Sequence, residues 1–369
     1  MSSLIEVETT NNKSTSLLAM AEAMQHEQIL YFNDAATGLK GFIGIHDTTL
    51  GPSLGGCRIW NYNNIDEALK DVLRLSRGMT YKSSISGINL GGGKAVIIND
   101  NPAQRTEGFW KKFGMYVEGL GGKYITAEDV GTSTAEIAYM MQVTKHLSGK
   151  PVEQGGGGDP SPFTAVGVFL GLKAAAKAAF GNEDLSGKKV LVQGVGHVGR
   201  YLVEQLTKNG AKVFVSDINE KKLKSVSAEF GASAMPLNEI IGADVDIYAP
   251  CALGAILNED SIPKLKCAVV AGAANNQLAD EVSDGNLLHE KGIIYAPDFL
   301  INAGGVINCY QEVIGYDKNA AMQRTEKIYD KTLEIIQRSA AQNISTHQAA
   351  MDLAIERIEK AKKEKQASC

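Results

Sequence analysis

The chain has 369 residues, of which 44% are hydrophobic and 21% charged, with a formal net charge of −5. This length exceeds what one hydrophobic core usually serves, so the sequence predicts about two domains. The acidic balance leaves no excess of Lys and Arg to neutralise phosphates, which argues against a nucleic-acid partner.

The cysteines and the apolar runs indicate the compartment. Five cysteines are scattered without a CxxC pair or a Cys/His spacing suited to zinc, so we expect reduced thiols and no metal. No stretch approaches the roughly 18 consecutive apolar residues of a membrane span, and residues 1–16 are polar where a secretory signal is apolar. We therefore expect a cytoplasmic protein without membrane association, in which residues 1–16 form a loose extension.

The first half of the chain predicts a mixed α/β unit. Residues 28–32 and 41–46 are short β-prone runs joined by NDAATG, which predicts a hairpin, and a further strand is expected at 57–60. Asn64 and Glu67 have the spacing of a capping box. The apolar spacing that follows predicts a helix that ends near Gly78 and delivers Tyr81 and Lys82 to the next element.

The stretch GMTYKSSISGINLGGGK sets Lys82 and Lys94 on either side of a predicted turn. Three consecutive glycines, residues 91–93, suggest positive φ angles or the approach of a ligand to bare backbone, which would put Lys94 at that ligand. The alternative is an ordinary loop with both lysines on the solvated surface. Strands at 95–98 and 123–126 flank a helix at 105–120, and Asp129 follows the second strand, where open α/β sheets place ligands.

The segment VEQGGGGDPSP at 152–162 concentrates glycine and proline and predicts a domain boundary. Beyond it a helix at 164–180 and a strand at 189–193 lead into a GxGxxG loop. The loop consists of Gly194, Val195, Gly196, His197, Val198 and Gly199. A helix at 198–209 and a strand at 212–216 follow, so the loop has the setting of a dinucleotide site, although coincidental glycines in a phosphate-free βαβ unit are the alternative.

Asp217 stands 18 residues past the last glycine of the loop, the position that binds the adenosine ribose hydroxyls. The glycines let a pyrophosphate approach the helix N-terminus. No arginine stands beside Asp217, which favours NAD over NADP because a 2′-phosphate would meet a carboxylate.

The remaining β-prone runs, 245–249, 268–271 and 293–295, predict a continuing parallel sheet. Asn275, Asn276 and Asn302 then fall at its carboxyl edge, near the nicotinamide, unless they only form turns. Helices at 327–337 and 346–365 end the chain.

Nine motifs resemble, in the same order, those of the glutamate/leucine/phenylalanine/valine dehydrogenase family. They are GPSLGGCR, GMTYK, GGGK, ITAEDVG, DPSPFTAVGV, QGVGHVG, APCALGAI, GAANNQL and INAGGVIN. The resemblance runs from about residue 25 to the C-terminus and is strongest to the leucine-specific members. It implies reversible NAD-dependent oxidative deamination of an L-amino acid to a 2-oxo acid and ammonia by a homo-oligomer, often an octamer.

We therefore expect an α/β protein of two domains. Residues 1–155 would form an α/β substrate domain, residues 156–335 a Rossmann-type doubly wound NAD domain, and residues 336–369 helices that return toward the first domain.

By motif, the resemblance implies three chemical roles. Lys82 would hold the substrate α-carboxylate, Lys94 would be the catalytic lysine, and Asp129 would be its acid/base partner. We expect the neighbouring Lys82 to lower the pKa of the Lys94 amine, so that Lys94 can act as a base near neutral pH.

The resemblance also implies cofactor contacts besides the glycine loop and Asp217. These involve Thr164, Ala252, Asn276 and Asn302. Asn276 would contact the nicotinamide and the substrate amino group, whereas Thr164 and Asn302 would fix the carboxamide.

The implied side-chain pocket is apolar. It comprises Leu54, Gly55, Gly56, Ala127, Val306 and Cys309. Leu54 stands where glutamate-specific members carry a lysine, so a branched-chain substrate (leucine, and also valine or isoleucine) is expected. Cys309 replaces a usual valine by a smaller group, which leaves phenylalanine and tryptophan open as substrates.

Two further functions compete with this interpretation. A non-catalytic regulator that binds NAD or an amino acid is disfavoured, because Lys82, Lys94 and Asp129 are all present. A hydroxy-acid dehydrogenase would need a His/carboxylate pair after the dinucleotide motif, and His197 lies inside the glycine loop.

Overall fold

The computed structural model of the protein describes residues 17–252 and 254–367, so the predicted extension at 1–16 and Cys369 lie outside it. Two separate sheets, of five and six strands, each carry helices on their faces. The predicted two-domain α/β class with one Rossmann-type parallel sheet is confirmed.

The first sheet has the strand order β1-β2-β4-β3-β5. Its strands are β1 (Gln28–Asp34), β2 (Leu39–Asp47), β3 (Ser53–Trp60), β4 (Gly91–Ile98) and β5 (Tyr124–Ala127). Strands β1 and β2 form the predicted antiparallel hairpin, whereas β3 pairs in parallel with both β4 and β5. The helices of this half are α1 (Leu17–Ala23), α2 (Ile65–Ile85), α3 (Glu107–Gly119) and α4 (Thr134–Met140).

Helix α2 begins at the predicted cap but ends later than predicted. Asn64 accepts a hydrogen bond from the Glu67 N–H at 2.9 Å, while the Glu67 carboxylate accepts from the Asn63 N–H at 3.1 Å rather than from that of Asn64. The prediction of an end near Gly78 is wrong, since the helix continues to Ile85. Its last two turns bury side chains against β4, and this packing outweighs the roughly 1 kcal/mol that a glycine costs within a helix.

The prediction of a turn with positive φ angles at the three glycines is also wrong. Gly91, Gly92 and Gly93 are buried in strand β4 with φ outside the positive range. A Cβ atom on Gly92 would lie 2.1 Å from the backbone nitrogen of Thr80, and one on Gly91 would lie 2.0 Å from the Asp47 carbonyl oxygen. The glycines therefore admit the backbone of α2 and of the β2 end rather than a ligand, and α2 carries Lys82 into the same region as Lys94.

The second sheet is parallel throughout, with the order β11-β10-β9-β6-β7-β8. Its strands are β6 (Lys189–Gln193), β7 (Lys212–Ser216), β8 (Ser233–Ala234), β9 (Ile247–Pro250), β10 (Val269–Val270) and β11 (Ile294–Tyr295). Its flanking helices include α5 (Ser161–Phe180), α6 (His197–Lys208), α7 (Glu220–Phe230) and α8 (Ser283–Glu290). The prediction that the parallel sheet continues beyond residue 245 is confirmed.

Helix α5 is long and apolar enough to cross a membrane by length and composition alone. In this fold it is a core helix, because Val168 and Leu172 pack in one cluster with Val190 of β6 and Leu202 of α6. Its apolar composition is thus accounted for by burial against the second sheet and neighbouring helices.

The chain closes with α9 (Asp298–Ile301), α10 (Gly304–Ile314), α11 (Lys318–Glu326), α12 (Ile328–Gln342) and α13 (Thr346–Ala367). Helix α13 touches both halves of the molecule. Thr346 donates a hydrogen bond to the Tyr295 carbonyl oxygen at 2.6 Å, and Ser84 of α2 donates to the Ala354 carbonyl oxygen at 2.7 Å. The residues at which the domains divide stay a prediction.

The segment between the two sheets is tied to α10 by one carboxylate. Glu312 accepts hydrogen bonds from the backbone N–H groups of Gly149 at 3.0 Å, Lys150 at 3.2 Å and Gly157 at 2.8 Å. This contact fixes both ends of the linker to the helix that carries Val306 and Cys309.

Candidate functional site

A cavity of about 550 Å³ lies between the two domains. Its wall combines α2, strands β3 and β4 and the end of β5 with the loop after β10, helices α9 and α10 and the start of α13. Ten of the residues predicted from the sequence line it together: Leu54, Gly55, Gly56, Lys82, Lys94, Ala127, Asp129, Asn276, Val306 and Cys309. The two lysines thus share one site although different elements carry them.

Lys94 of β4 is 6% exposed and donates a hydrogen bond to the Oδ2 atom of Asp129, which follows β5. The other oxygen of Asp129 lies 3.6 Å from Nε of Arg58, and Nη1 of Arg58 lies 3.2 Å from Asp71 Oδ2. Cationic and anionic groups therefore alternate along one wall of the cavity.

Arg58 is a site residue that the sequence reasoning missed. It belongs to the motif GPSLGGCR and lies in register with Val96 in the parallel β3/β4 pair. Because alternate residues of a strand share a face, Val96 and Lys94 point to the same side, and Arg58 points there with them. Strand alternation combined with the correct pairing could have found it.

Burial lowers the pKa of Lys94 to about 7, and the positive charges of Arg58 and then of Lys82 act in the same direction. The expectation that Lys82 lowers this pKa is correct in sign, but burial and Arg58 contribute more. The carboxylate of Asp129, in contact with Nζ, favours the protonated amine and opposes the shift. Lys94 is therefore poised to exchange a proton near neutral pH.

Lys82 lies in the last turn of α2 and faces amide oxygens of the other domain. Its Nζ donates to Asn302 Oδ1 at 2.6 Å and lies 3.5 Å from Asn275 Oδ1. Within the part of the chain that the structure describes, no carboxylate forms a salt bridge with it. Burial lowers its pKa to about 8, an effect that the negative charge of Asp298 opposes.

The walls beyond the two lysines are apolar. Leu54 of β3 is 2% exposed, Ala127 ends β5, and Val306 and Cys309 extend from α10. Burial raises the pKa of the Cys309 thiol to about 12, so this thiol is uncharged at neutral pH. Glu128 also lines the cavity; it accepts a hydrogen bond from the Thr134 hydroxyl at 2.6 Å, and burial raises its pKa.

The glycine loop forms a second group of predicted residues at the carboxyl ends of β6 and β7, outside the cavity wall. Gly194 has a φ of +98°, and a Cβ atom there would lie 2.8 Å from the Cβ atom of Ala252. A Cβ on Gly199 would lie 2.0 Å from the Gly194 carbonyl oxygen. A Cβ on Gly196 would find open space among the described residues, so its backbone is accessible to a ligand.

Asp217 follows β7 and lies beside this loop. Its Oδ2 accepts from the Val195 N–H at 2.8 Å, and its Oδ1 accepts from the Asn219 N–H at 2.7 Å. His197 is the first residue of α6, and its neighbours Val198 and Gly199 continue the first turn. The arrangement fits a dinucleotide whose pyrophosphate lies at Gly196 and whose ribose lies at Asp217.

Three predicted cofactor residues remain, and one of them, Asn276, also lines the cavity. Thr164 in the first turn of α5 donates to the Pro160 carbonyl oxygen at 3.1 Å and lies against Gly305. Asn276 has a φ of +53°, an uncommon conformation for a residue with a side chain. Asn302 donates to the Ala273 carbonyl oxygen at 3.1 Å and to Asn275 Oδ1 at 2.8 Å.

Comparison with known proteins gives matches over almost the whole chain. Residues 26–146 match the model of the Glu/Leu/Phe/Val dehydrogenase dimerisation domain, and residues 155–220 and 215–366 match that of Glutamate/Leucine/Phenylalanine/Valine dehydrogenase. Leucine dehydrogenase of Geobacillus stearothermophilus is 50% identical over 347 residues, 94% of either chain. L-tryptophan dehydrogenase of Nostoc punctiforme is 45% identical over 349 residues, 95% of this chain and 98% of its own.

The solved structure of a relative agrees with the fold. The crystal structure of L-tryptophan dehydrogenase from Nostoc punctiforme superposes with a TM-score of 0.82 at 43% identity. The superposition covers 94% of this chain and 99% of the solved chain.

Proposed function

Because the chain belongs to the glutamate/leucine/phenylalanine/valine dehydrogenase family and is an NAD-dependent amino-acid dehydrogenase, we propose that it oxidises L-leucine, and also valine and isoleucine. One observation carries the choice of substrate. The apolar wall around Leu54 adjoins, in a single cavity, the Lys94–Asp129 pair and the Lys82 ammonium, which has no carboxylate partner among the described residues. An aliphatic amino acid has the matching side chain, carboxylate and amino group.

Lys82 binds the substrate α-carboxylate in this proposal. Its Nζ faces neutral amide oxygens, so a carboxylate adds a charge-assisted hydrogen bond that the ligand-free site lacks. A pKa of about 8 leaves most of the amine charged at neutral pH, and a bound carboxylate raises that fraction further.

Lys94 and Asp129 carry out the proton transfers. Bound NAD supplies the acceptor for the hydride that leaves the substrate Cα. Lys94, with a pKa of about 7, is partly neutral near pH 7 and can take a proton from the water that attacks the resulting imine. Asp129, in contact with Nζ, transfers protons to and from the departing amino group. The two lysines also face the charge that develops on the hydrated intermediate.

For the cofactor, we assign the pyrophosphate to the loop 194–199 and the adenosine ribose to Asp217. The open backbone at Gly196 and the position of Ala252 against Gly194 support this assignment. Thr164, Asn276 and Asn302 remain our candidates for the nicotinamide end.

An aromatic substrate is the second candidate. Cys309 is smaller than the valine that the resemblance leads us to expect, and a tryptophan-specific relative shares 45% identity. A widened pocket would favour phenylalanine or tryptophan over leucine, and the same experiment separates the two possibilities.

The test is a panel of L-amino acids with NAD, followed by the absorbance of NADH. We expect leucine to have the highest kcat/KM, with isoleucine and valine next and glutamate inactive. A higher kcat/KM for tryptophan or phenylalanine selects the second candidate, and absence of NADH formation with every apolar amino acid refutes both.

Lys94→Ala in the same assay should lower kcat by several orders of magnitude while NAD affinity stays constant, because Lys94 acts on the chemical step. The exposed Lys224→Ala is a matched control and should behave as the parent. A Lys94→Ala variant that keeps most of its kcat would remove this lysine from the mechanism.

We also propose that the protein is a cytoplasmic homo-oligomer, an octamer by resemblance, that acts in branched-chain amino-acid catabolism. The match of residues 26–146 to a dimerisation domain supports self-association. Light scattering coupled to size-exclusion chromatography gives the subunit number. A monomer at micromolar concentration would contradict the proposed homo-oligomer.

A further inference from the structure

Asn275 lies beside both Lys82 and Asn302, the two residues that meet across the domains at the proposed carboxylate subsite. It lies in the loop after β10, with its side chain exposed toward the cavity. Its Oδ1 atom accepts a hydrogen bond from Asn302 Nδ2 at 2.8 Å and lies 3.5 Å from Lys82 Nζ. One amide oxygen thus serves a residue of the cofactor domain and a residue of the substrate domain.

The contacts of Asn302 fix which way its amide points. Asn302 is 4% exposed, and its Nδ2 faces two acceptors, the Ala273 carbonyl oxygen and Asn275 Oδ1. An amide oxygen in that place would face two other oxygens, so the nitrogen must occupy it. The oxygen of Asn302 is therefore directed to Lys82, at 2.6 Å.

The backbone that carries Asn275 is also held in place. The Asn276 carbonyl oxygen accepts from the Ala255 N–H at 2.7 Å, and a Cβ atom on Gly254 would lie 2.6 Å from the Asn275 carbonyl oxygen. The turn is packed against the segment after β9, which leaves the side chain of Asn275 little freedom to move away from Asn302.

We propose that Asn275 is a positioning residue of the amino-acid site: through Asn302 it holds the Lys82 ammonium where the substrate α-carboxylate must bind, without neutralising it. The proposal rests on the proposed role of Lys82 and deepens it. Asn275 orients the amide of Asn302, and its own oxygen completes a shell of neutral acceptors around Nζ. An acid at residue 275 would supply the negative charge that the substrate should bring.

The charges around Lys82 explain why neutrality matters there. The groups that face it are Asp298 of α9, Cys309 of α10 and Lys94 of β4. Asp298 is engaged by the Tyr295 hydroxyl at 3.0 Å, and the Cys309 thiol is protonated at neutral pH. Asp298 acts on Lys82 without forming a salt bridge with it among the described residues, so a substrate carboxylate can add a direct ion pair at Nζ.

Three variants test this role: Asn275→Asp, the uncharged near-isostere Asn275→Leu, and Asn286→Asp on the exposed face of α8 as a charge-matched control. Two constants are measured with NAD or NADH saturating. The first is the KM of leucine. The second is the inhibition constant of 4-methylpentanoate, which has the carboxylate and side chain of leucine without its amino group.

We expect Asn275→Asp to raise both constants at least about tenfold, because a carboxylate 3.5 Å from Nζ competes with that of the ligand. Its kcat should stay within about threefold, since the chemical step uses other groups. The alkaline limb of 1/KM should move to higher pH, because the new charge keeps Lys82 protonated. Asn275→Leu should raise both constants about three- to tenfold, the effect of one hydrogen bond, and Asn286→Asp should change neither.

The possible outcomes separate this inference from the proposed function. A parent enzyme that does not oxidise leucine refutes the proposed function. A parent that does, together with an Asn275→Asp variant whose two constants stay within about twofold, refutes the role of Asn275 alone. A loss confined to kcat also contradicts it. If the Tm shows that Asn275→Asp does not fold, Asn275→Leu is the deciding variant. A rise of both constants then supports the role of Asn275, and unchanged constants refute it.

Discussion

Replacing Arg58 by glutamine should raise the pKa of Lys94. Of the two positive charges that lower this pKa, that of Arg58 has the larger effect. The guanidinium lies 3.6 Å from one oxygen of Asp129, and Lys94 contacts the other. One carboxylate thus separates the two cations. For a separation on the order of 7 Å, an effective dielectric constant of about 20 gives about 2.4 kcal/mol of repulsion. Screening by Asp129 and by solvent roughly halves this value, which corresponds to a shift of about one pH unit.

The sign of the effect on rate follows from the role of Lys94 as a base. The lysine must be neutral to accept a proton, and a higher pKa leaves less of it neutral at a given pH. The acid limb of kcat/KM for leucine, expected near pH 7 in the parent, should move to about pH 8. Near pH 6.5 the variant should lose about tenfold in kcat/KM, and above about pH 9 it should approach the parent.

The assay is the pH dependence of kcat/KM at constant ionic strength with NAD saturating, and Arg58→Lys is the matched control. The lysine variant keeps the charge beside Asp129 and Asp71, so its acid limb should stay within about 0.3 unit of the parent. An unmoved limb in Arg58→Gln would mean that burial alone sets the pKa of Lys94. Equal shifts in both variants would mean that the effect of Arg58 is not one of charge.

Three further changes test other parts of the structure. Leu54→Lys places an unpaired ammonium beside an aliphatic substrate and should lower kcat/KM for leucine at least about a hundredfold relative to the parent, with any gain appearing for glutamate. Leucine activity within a few-fold of the parent would mean that Leu54 does not face the substrate. Asp217→Ala removes the ribose acceptor and should raise the KM of NAD more than that of NADP, whereas an unchanged NAD/NADP ratio would contradict the assignment. Glu312→Ala leaves three linker N–H groups without their carboxylate and should lower the free energy of unfolding by about 2–3 kcal/mol, measured as a lower Tm. Glu312→Gln should recover part of this stability. An unchanged Tm in Glu312→Ala would show that these bonds are not formed in solution.

The dinucleotide half was the more predictable part of the fold. The strands predicted at 189–193 and 212–216 are found as β6 (Lys189–Gln193) and β7 (Lys212–Ser216). Their β-branched runs are bounded by glycines, and the loop between β6 and α6 has a fixed length, so local pattern was enough. Helix α10 was missed because it begins with two glycines, and α11 because its sequence, KNAAMQRTE, has no apolar residues at helical spacing beyond Ala321.

The substrate half was less predictable, because its form depends on contacts between distant residues. Gly92 of β4 is needed where α2 packs on the sheet, and Gly91 where the end of β2 approaches. A sequence cannot distinguish that need from the need of a loop. The bond from Lys82 to Asn302 joins residues 220 positions apart. Arg58 was missed, and Asn275 was predicted only to lie near the nicotinamide, because the contacts of each are made with residues that folding brings to it.

The charges of the cavity favour the same roles for the two lysines as the motifs do: carboxylate binding for Lys82 and proton transfer for Lys94. Lys94 already contacts the carboxylate of Asp129, so a second carboxylate gains little there and would have to displace a buried ion pair. Lys82 is half-buried and hydrogen-bonds to amide oxygens, with no salt bridge to a carboxylate among the described residues, so a carboxylate gains most at its Nζ. We therefore expect a zwitterionic amino acid that enters the cavity to bind with its carboxylate at Lys82 and its amino group toward Asp129.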